Sequence, residues 1–327
     1  MSDSYSTAYP FSVRPDKKLT TADAFALFRD HYEGTVFDLT TGPAAGPFGN
    51  PYRWRGQFDD HEQFAAGVVK PGAWPRAVSE MFCGYSYINQ GRSWLPDHIG
   101  GITWFGFAQP AETVYVPFYA GITEVPAEWS ENDRSDFSRR YAWWAFNFVT
   151  NWATINYQLI TPDIRAKQQD IEIRQFEDQL KIEKDTLALF RAERETAARE
   201  LLTQYSNENA RRVLGEWWAF SDHLVARYSN QMINDFANGT TGLVGYPGIW
   251  LEDTRYQYGP RIYQYPDLQH VLGLAYMNEV VTMTPGEELA VIKETQRINA
   301  SELWSLLEWR HSSVTTWNVT RSVLKTG

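Results

Sequence analysis

Residues 85–126 read YSYINQGRSWLPDHIGGITWFGFAQPAETVYVPFYAGITEVP. Three runs rich in aromatic and β-branched residues occupy 82–90, 101–107 and 113–121, and the first of them begins shortly before this stretch. The Pro, Gly and Asp residues between them are typical of turns, so the runs predict three strands. Pro117 has no amide hydrogen, and the third strand is therefore expected at a sheet edge or a bulge. This block predicts a sheet.

Helices are predicted before and after the sheet block. Residues 10–33 indicate an extended lead followed by a helix with Thr20 or Thr21 as its N-cap. Residues 137–157 carry apolar side chains at spacings of three and four, which predicts a helix with a buried aromatic face. That face consists of Trp144, Phe148, Trp152 and Ile155. We expect this helix to end where the chain meets Pro162.

A long charged segment follows, from residue 163 to 204. Its apolar residues fall at the first and fourth positions of a heptad, with interruptions at Glu183 and Arg194, and predict a projecting helix or helical hairpin. They are Ile173, Phe176, Leu180, Leu187, Phe190, Ala197 and Leu201. Ser206 or Asn207 is the expected cap of a further helix.

These elements together predict an α+β protein in three parts. Residues 1–162 hold the sheet, 163–235 form the long helical segment, and 236–327 form a mixed region that packs on the core. Aromatic residues make up 15% of the chain, including 14 Trp and 18 Tyr, which favours half-buried sheet surfaces and a pocket.

Composition excludes several classes of function. A formal net charge of -10 opposes binding to nucleic acid, whose affinity depends on clustered Lys and Arg. The sequence has no apolar window of about 18 residues, so a membrane span is not predicted. The first residues do not resemble an export signal. The cellular compartment stays open. The six His are scattered without ligand spacing, so neither a metal nor a cofactor is expected.

Three residues are candidates for chemistry. Cys83, the single cysteine, lies in an apolar strand pattern without a nearby cation, which favours a buried structural thiol. Asn50 precedes Pro51 in GPFGNPYRW, where it either forms a turn or presents its amide at a fixed angle. Arg92 in GRSWLPD suits either carboxylate recognition and charge control near a thiolate or a salt bridge.

Four long motifs carry a family resemblance. They are HYEGTVFDLTTGPAAGPFGNPYRW, the 85–126 block, FSRRYAWWAFNFVTNWA and DIRAKQQDIE. The chain resembles the cysteine dipeptidases related to secernins, of the N-terminal nucleophile hydrolase class, from about residue 10 to about residue 265. The resemblance implies part of a four-layered αββα fold. It also implies a cysteine at the mature N-terminus whose own α-amino group serves as its base.

The resemblance also implies roles for individual residues. Asn50 corresponds to an asparagine that helps to form the oxyanion hole, and Arg92 to an arginine that orients the nucleophile. Trp54 and Trp94 are the predicted substrate-binding residues, and the substrate is a dipeptide. No cofactor is implied.

The family's nucleophile segment has no counterpart in this sequence, because the motif expected to carry it lies well ahead of PFSVRPDKK in the family. We therefore expect the chain alone to be inactive, and a Cys-led N-terminal half or a second copy of the chain to be its partner. The alternative is a non-catalytic fragment or pseudoenzyme that acts by protein association, with the heptad seam as its binding surface.

Overall fold

The three predicted strands form one antiparallel sheet in the order β1-β2-β3. The computed structural model describes residues 11–53 and 76–255. The strands are β1 (Tyr85–Gly91), β2 (Gly101–Phe107) and β3 (Val116–Tyr119), with Tyr85 opposite Phe107 and Trp104 opposite Pro117. The sheet is confirmed, and Pro117 lies on an outer strand of the described residues, as its missing donor requires.

Both faces of the sheet pack on helices, through two separate clusters of buried residues. On one face, Ile102, Trp104 and Tyr119 are buried with Phe25 of helix α1 (Thr21–Phe28). On the other face, Phe105, Phe107 and Phe118 pack against a core built from Trp129 and the helices that follow it. The β1 end of this second face is open: Tyr85 and Tyr87 are 58% and 50% exposed.

The predicted N-cap of helix α1 is confirmed at Thr20. Its hydroxyl accepts from the amide of Asp23 at 3.1 Å, and the Asp23 carboxylate accepts from the Thr20 amide at 2.8 Å. This reciprocal pair satisfies two amides that the first helical turn would otherwise leave without partners. Thr21, the other candidate, is the first residue inside the helix.

Helix α4 (Ala142–Ala153) confirms the helix predicted after the sheet, with a different buried face. Its fully buried residues include Ala145, Phe146, Val149 and Ala153. The predicted stripe of Trp144, Phe148 and Trp152 is only partly buried, and Ile155 is exposed. Small residues lie inward because the helix packs closely on its neighbours, so the larger rings are displaced to its flank.

The expected helix end at Pro162 is wrong. The chain turns at Thr154–Asn156, and Asn156 caps the next helix by accepting from the Leu159 amide. That helix, α5 (Tyr157–Arg191), carries Pro162 in its second turn. Pro162 deprives the helix of the bond that an amide there would donate to the Gln158 carbonyl, and the helix nevertheless continues through it.

Helices α5 and α6 (Glu195–Arg227) form the helical hairpin that the charged segment predicts. The predicted seam is wrong in part: Phe176 and Leu187 pack against the core, but Ile173 and Leu180 are 48% and 74% exposed. Ser206 and Asn207 are buried inside α6 and cap nothing. The expected projection is also wrong over most of the hairpin, since its inner side packs on the sheet.

The side of α5 that faces the sheet carries a row of polar residues. We call Gln168, Glu172, Gln175, Gln179 and Glu183 the polar seam. Gln168 Nε2 donates to the carbonyls of Ala111 and Thr113 at 2.9 and 2.6 Å, and Gln175 Nε2 donates to that of Tyr115 at 2.7 Å. These residues are buried because they satisfy the backbone of the segment that leads into β3.

Short elements complete the described structure. They are α2 (Asp97–Gly100), α3 (Ala127–Ser130), β4 (Met232–Asp235), β5 (Thr240–Leu243) and α7 (Gly248–Asp253). The α+β class is confirmed. The chain divides into compact units Met1–Gln257 and Tyr258–Gly327, and the described residues belong to the first. The three-part division at 162 and 235 stays a prediction. None of the described helices combines the length and apolarity that crossing a bilayer requires.

Candidate functional site

Asn50 lies in a tight turn that leaves half of its amide available. Its backbone amide donates to the Ala45 carbonyl at 2.8 Å, and its Oδ1 accepts from the Tyr52 amide at 2.8 Å. Because Pro51 between them offers no amide, the turn has one geometry. The backbone bond fixes Oδ1 inward, so Nδ2 is the free end, and it donates to no described residue.

The loop before Asn50 is held on the first turn of helix α5. The Gln158 amide donates to the Phe48 carbonyl at 3.0 Å. Gly49 has a φ of +65°, and a Cβ there would lie 2.5 Å from the Gln158 side chain, so only glycine fits. Arg53 Nη1 donates to the Asn50 carbonyl at 3.0 Å, and its Nη2 to the Leu39 carbonyl at 3.1 Å. The loop is therefore braced on both sides of Asn50.

A buried acid lies directly behind this turn. The hydroxyl of Tyr52 donates to both oxygens of Glu112, at 2.8 and 2.7 Å, and Gln109 Nε2 also donates to this carboxyl. Burial raises the pKa of Glu112, against the opposing influence of His31, Tyr52 and Gln109. Burial and the adjacent carboxyl raise the pKa of Tyr52 far above its ordinary value. Both groups therefore hold their protons more tightly than they would in water.

A histidine completes the cluster. His31 is fully buried, with its Nδ1 3.1 Å from Glu33 Oε1 and 3.3 Å from the Tyr157 hydroxyl. Its Nε2 is buried without a hydrogen-bond partner in the described chain. Burial works against the ionised form of Glu33, but hydrogen bonds from the ring and backbone of His31 lower the pKa of Glu33 to about 2. The rings of His31, Tyr52 and Tyr157 meet edge to face.

Arg92 lies in a different part of the molecule. Its Nη1 is 2.7 Å from the carboxylate of Glu183, and its Nη2 donates to the Ile99 carbonyl at 2.7 Å. The same carboxylate accepts from the Tyr119 hydroxyl at 2.9 Å. Nη1 thus joins the end of β1 to helix α5, while Nη2 and Nε hold the segment between β1 and β2 through the Ile99 and Gly100 carbonyls. The salt-bridge interpretation of Arg92 is the one that this geometry favours.

The structure does not bring Asn50 and Arg92 together. The Asn50 loop touches α5 at Gln158, whereas Arg92 touches the same helix at Glu183. At a rise of 1.5 Å per residue, these two points on α5 are about 37 Å apart. The two side chains cannot act on one scissile bond.

The remaining candidates fall in three environments. Trp94 is 76% exposed in the loop after β1, and Trp54 lies outside the described residues. Cys83 precedes β1 as a half-buried free thiol whose Sγ donates to the Tyr85 carbonyl at 3.0 Å. Burial raises the pKa of this thiol, so it is protonated at neutral pH and is a poor nucleophile.

The cluster behind Asn50 was not predicted from sequence. His31, Tyr52, Glu112 and Tyr157 are spread over four segments, and no periodicity connects them. One signal was available, since His31 and Tyr52 lie in the motif that ends at Trp54. In the described part of the chain, no group of His, Cys, Asp and Glu side chains is placed to hold a metal ion. Among the described residues, the arrangement offers a directed hydrogen-bond donor and a buried acid with a raised pKa, but no activated nucleophile.

Residues 1–170 match peptidase family C69. A probable dipeptidase of Latilactobacillus sakei is 25% identical to the chain over 126 residues. The aligned region covers 38% of this chain and 22% of that protein, so the match reaches about a fifth of the relative's length. Since the family match extends over more than half of the 327 residues, the chain belongs to peptidase family C69 and is related to the cysteine dipeptidases.

Proposed function

We propose that this chain forms part of a cysteine-type dipeptidase. In this proposal, Asn50 donates to the oxyanion that develops on the scissile carbonyl, and a Cys-led segment outside these 327 residues supplies the thiolate. The observation that carries the proposal is the free Nδ2 of Asn50, held on a braced turn within the region that matches the peptidase family.

Asn50 is suited to this role because its geometry is set before any substrate binds. An oxyanion donor accelerates a reaction only when it need not reorganise as charge develops. The amide is fixed by its own turn, by Arg53 and by the contact of Phe48 with α5. Its donor end is the half that the turn does not use.

The nucleophile is assigned elsewhere because the thiol of Cys83 lacks every usual means of activation. No cation pairs with it in the described chain, it donates to a backbone carbonyl, and burial favours its protonated form. The four-layered αββα arrangement stays a prediction for the complete enzyme, because helices cover much of both faces of the described sheet and only the area around Tyr85 and Tyr87 is open to a second sheet. Substrate contacts of Trp54 and Trp94 stay predictions.

The test is hydrolysis of a panel of dipeptides by the full chain, alone and mixed with the Cys-led N-terminal half of a close relative. We expect no turnover by the chain alone and turnover by the mixture, abolished when the leading cysteine of the added half becomes serine. Turnover by the chain alone that Cys83→Ala abolishes would overturn the assignment of the nucleophile.

A non-catalytic role in protein association is the second candidate. The observation that favours it is the stacked pair of exposed rings, Tyr85 and Tyr87, whose centroids lie 6.4 Å apart on the open face of the sheet. A mixture that stays inactive while the chain forms a stable complex would favour this candidate over the enzyme.

A further inference from the structure

A depression of about 660 Å³ lies between helices α1 and α5. One face of α1 and its C-terminal extension line it with Asp23, Ala26, Leu27 and Asp30, which follow at spacings of three and four. Arg165 of α5 lines it from the opposite side. Volumes of this order accept small molecules.

Most of the charged groups that line the depression already have partners. Asp23 is 2.8 Å from Lys17 and also closes the cap of α1. Arg29 makes a two-pronged ion pair with Glu172, at 2.5 and 3.1 Å. Glu33 is paired with His31. These groups form the wall, and their charges are compensated by the protein itself.

Two charges of opposite sign remain. Asp30 Oδ1 accepts only from the Tyr32 amide, at 2.8 Å, and no described cation lies within ion-pair distance of this carboxylate. Arg165 Nη1 donates to the Ala111 carbonyl at 3.1 Å and to Gln168 at 3.4 Å. Its charge acts on the buried carboxyl of Glu112, but no described carboxylate lies within ion-pair distance of its guanidinium. The depression therefore offers one acceptor for an ammonium group and one donor for a carboxylate.

We propose that this depression binds a free amino acid with an apolar side chain, its ammonium group at Asp30 and its carboxylate at Arg165. Leu19, Ala26 and Leu27 supply the apolar part of the wall. A ligand with a single charge would leave one of the two protein charges without a partner, which costs affinity. Binding itself does not depend on the proposed function. Only the view that the ligand is a product of dipeptide hydrolysis rests on it.

Isothermal calorimetry at low ionic strength tests the proposal with the full chain and L-leucine. We expect saturable binding with a dissociation constant on the order of millimolar or tighter. Isocaproate lacks the ammonium group and isoamylamine lacks the carboxylate, so each should bind about tenfold more weakly than leucine or worse. Alanyl-leucine separates its two charges by an extra residue and should also bind more weakly.

Two variants locate the site. Asp30→Asn keeps the shape and the contact with the Tyr32 amide, and Arg165→Gln removes the guanidinium; each should weaken leucine binding about tenfold or more. Arg174→Gln is the matched control, because Arg174 lies on the same helix and pairs with Glu216 on the outer side. Circular dichroism checks that each variant is folded.

Three outcomes would overturn the proposal. They are no saturable binding of leucine, equal binding of either single-charge analogue, and leucine binding unchanged in folded Asp30→Asn. Tighter binding of alanyl-leucine than of leucine would also reject a free amino acid as the ligand. An inactive mixture in the dipeptide assay with normal leucine binding would reject the proposed function and leave this site standing.

Discussion

The guanidinium of Arg92 and the carboxylate of Glu183 form a nearly buried ion pair, 2.7 Å apart, with side chains only 9% and 14% exposed. Removing one partner of such a pair leaves an uncompensated charge. We therefore expect Arg92→Met to lower the free energy of unfolding by about 3 kcal/mol, with unchanged kcat per folded molecule in the complemented enzyme. The free energy of unfolding of Arg92→Lys should lie between those of the wild type and Arg92→Met, because lysine keeps the charge and loses the planar fork.

Urea denaturation measures this effect, and Arg139 provides the control. Arg139 pairs with Asp222 at 2.6 Å, but both side chains are about half exposed. Arg139→Gln should cost less than about 1 kcal/mol. Equal costs for Arg92→Met and Arg139→Gln would refute a structural role for Arg92, as would a folded Arg92→Met that is stable but inactive.

Substitutions of Asn50 separate its turn from its donor. Asn50→Asp retains an oxygen for the Tyr52 amide and loses the Nδ2 hydrogen-bond donor, whereas Asn50→Ala loses both groups. An oxyanion role predicts that both lower kcat by about a hundredfold to a thousandfold with little change in KM. Only Asn50→Ala should lower the melting temperature. Full activity in folded Asn50→Asp would remove Asn50 from the site.

The buried carboxyl of Glu112 predicts a pH dependence of stability. Because burial raises its pKa, the folded chain holds this proton more tightly than the unfolded chain. Its stabilising contribution is complete below the ordinary value of 4.5 and declines as pH rises through the raised pKa. Glu112→Gln should therefore flatten this decline and be the more stable protein at neutral pH.

Unfolding measured between about pH 2 and about pH 8 tests this, and Glu33 serves as a control of opposite sign. The pKa of Glu33 is lowered to about 2, so its contribution is present above 4.5 and is lost as pH falls toward about 2. Glu33→Gln should flatten the acid limb alone. A Glu112→Gln protein with the wild-type pH profile would show that the carboxyl is not buried in solution.

The open sheet face predicts self-association of the isolated chain. Tyr85 stacks on Tyr87 and on Phe105, with centroids 6.4 and 5.6 Å apart, on a surface that stays exposed. Replacing both tyrosines by threonine keeps a strand-forming residue and removes the rings. Sedimentation velocity should show less self-association of this variant than of the wild type. A hydrophobic dye should also bind the variant more weakly. Trp94→Ser, which removes an exposed ring outside the sheet, should change neither.

Local patterns in the sequence predicted the elements well but not the direction in which their side chains face. The three strands, the Thr20 cap and the helical hairpin all follow from short-range rules of alternation, capping and heptad spacing. The buried faces do not. In α5 the apolar residues Ile173 and Leu180 lie outward while Gln168 and Gln175 lie inward. A helix that borders free backbone carbonyls gains more from amide donors than from apolar contact, and sequence alone does not show those carbonyls.

Of the candidate site, the sequence predicted Asn50 but not the buried cluster behind it. Asn50 was identifiable because Asn-Pro restricts its own backbone within a single motif. The acid behind it, Glu112, lies in the turn between β2 and β3, and Tyr157 is the first residue of α5. Arg92 was paired with Asn50 by motif, but no sequence spacing could show that the two contact α5 at points about 37 Å apart.

The polar seam of α5 has a consequence for how the sheet can grow. Its glutamines occupy the carbonyls of Ala111, Thr113 and Tyr115, and Pro117 offers no donor on the same side. A new strand could pair there only by displacing the helical hairpin. In the described part of the chain, no strand pairs with the outer edge of β1. Extension of the sheet, by another segment or another molecule, is therefore directed to one side, and the first neighbour of any added strand is β1.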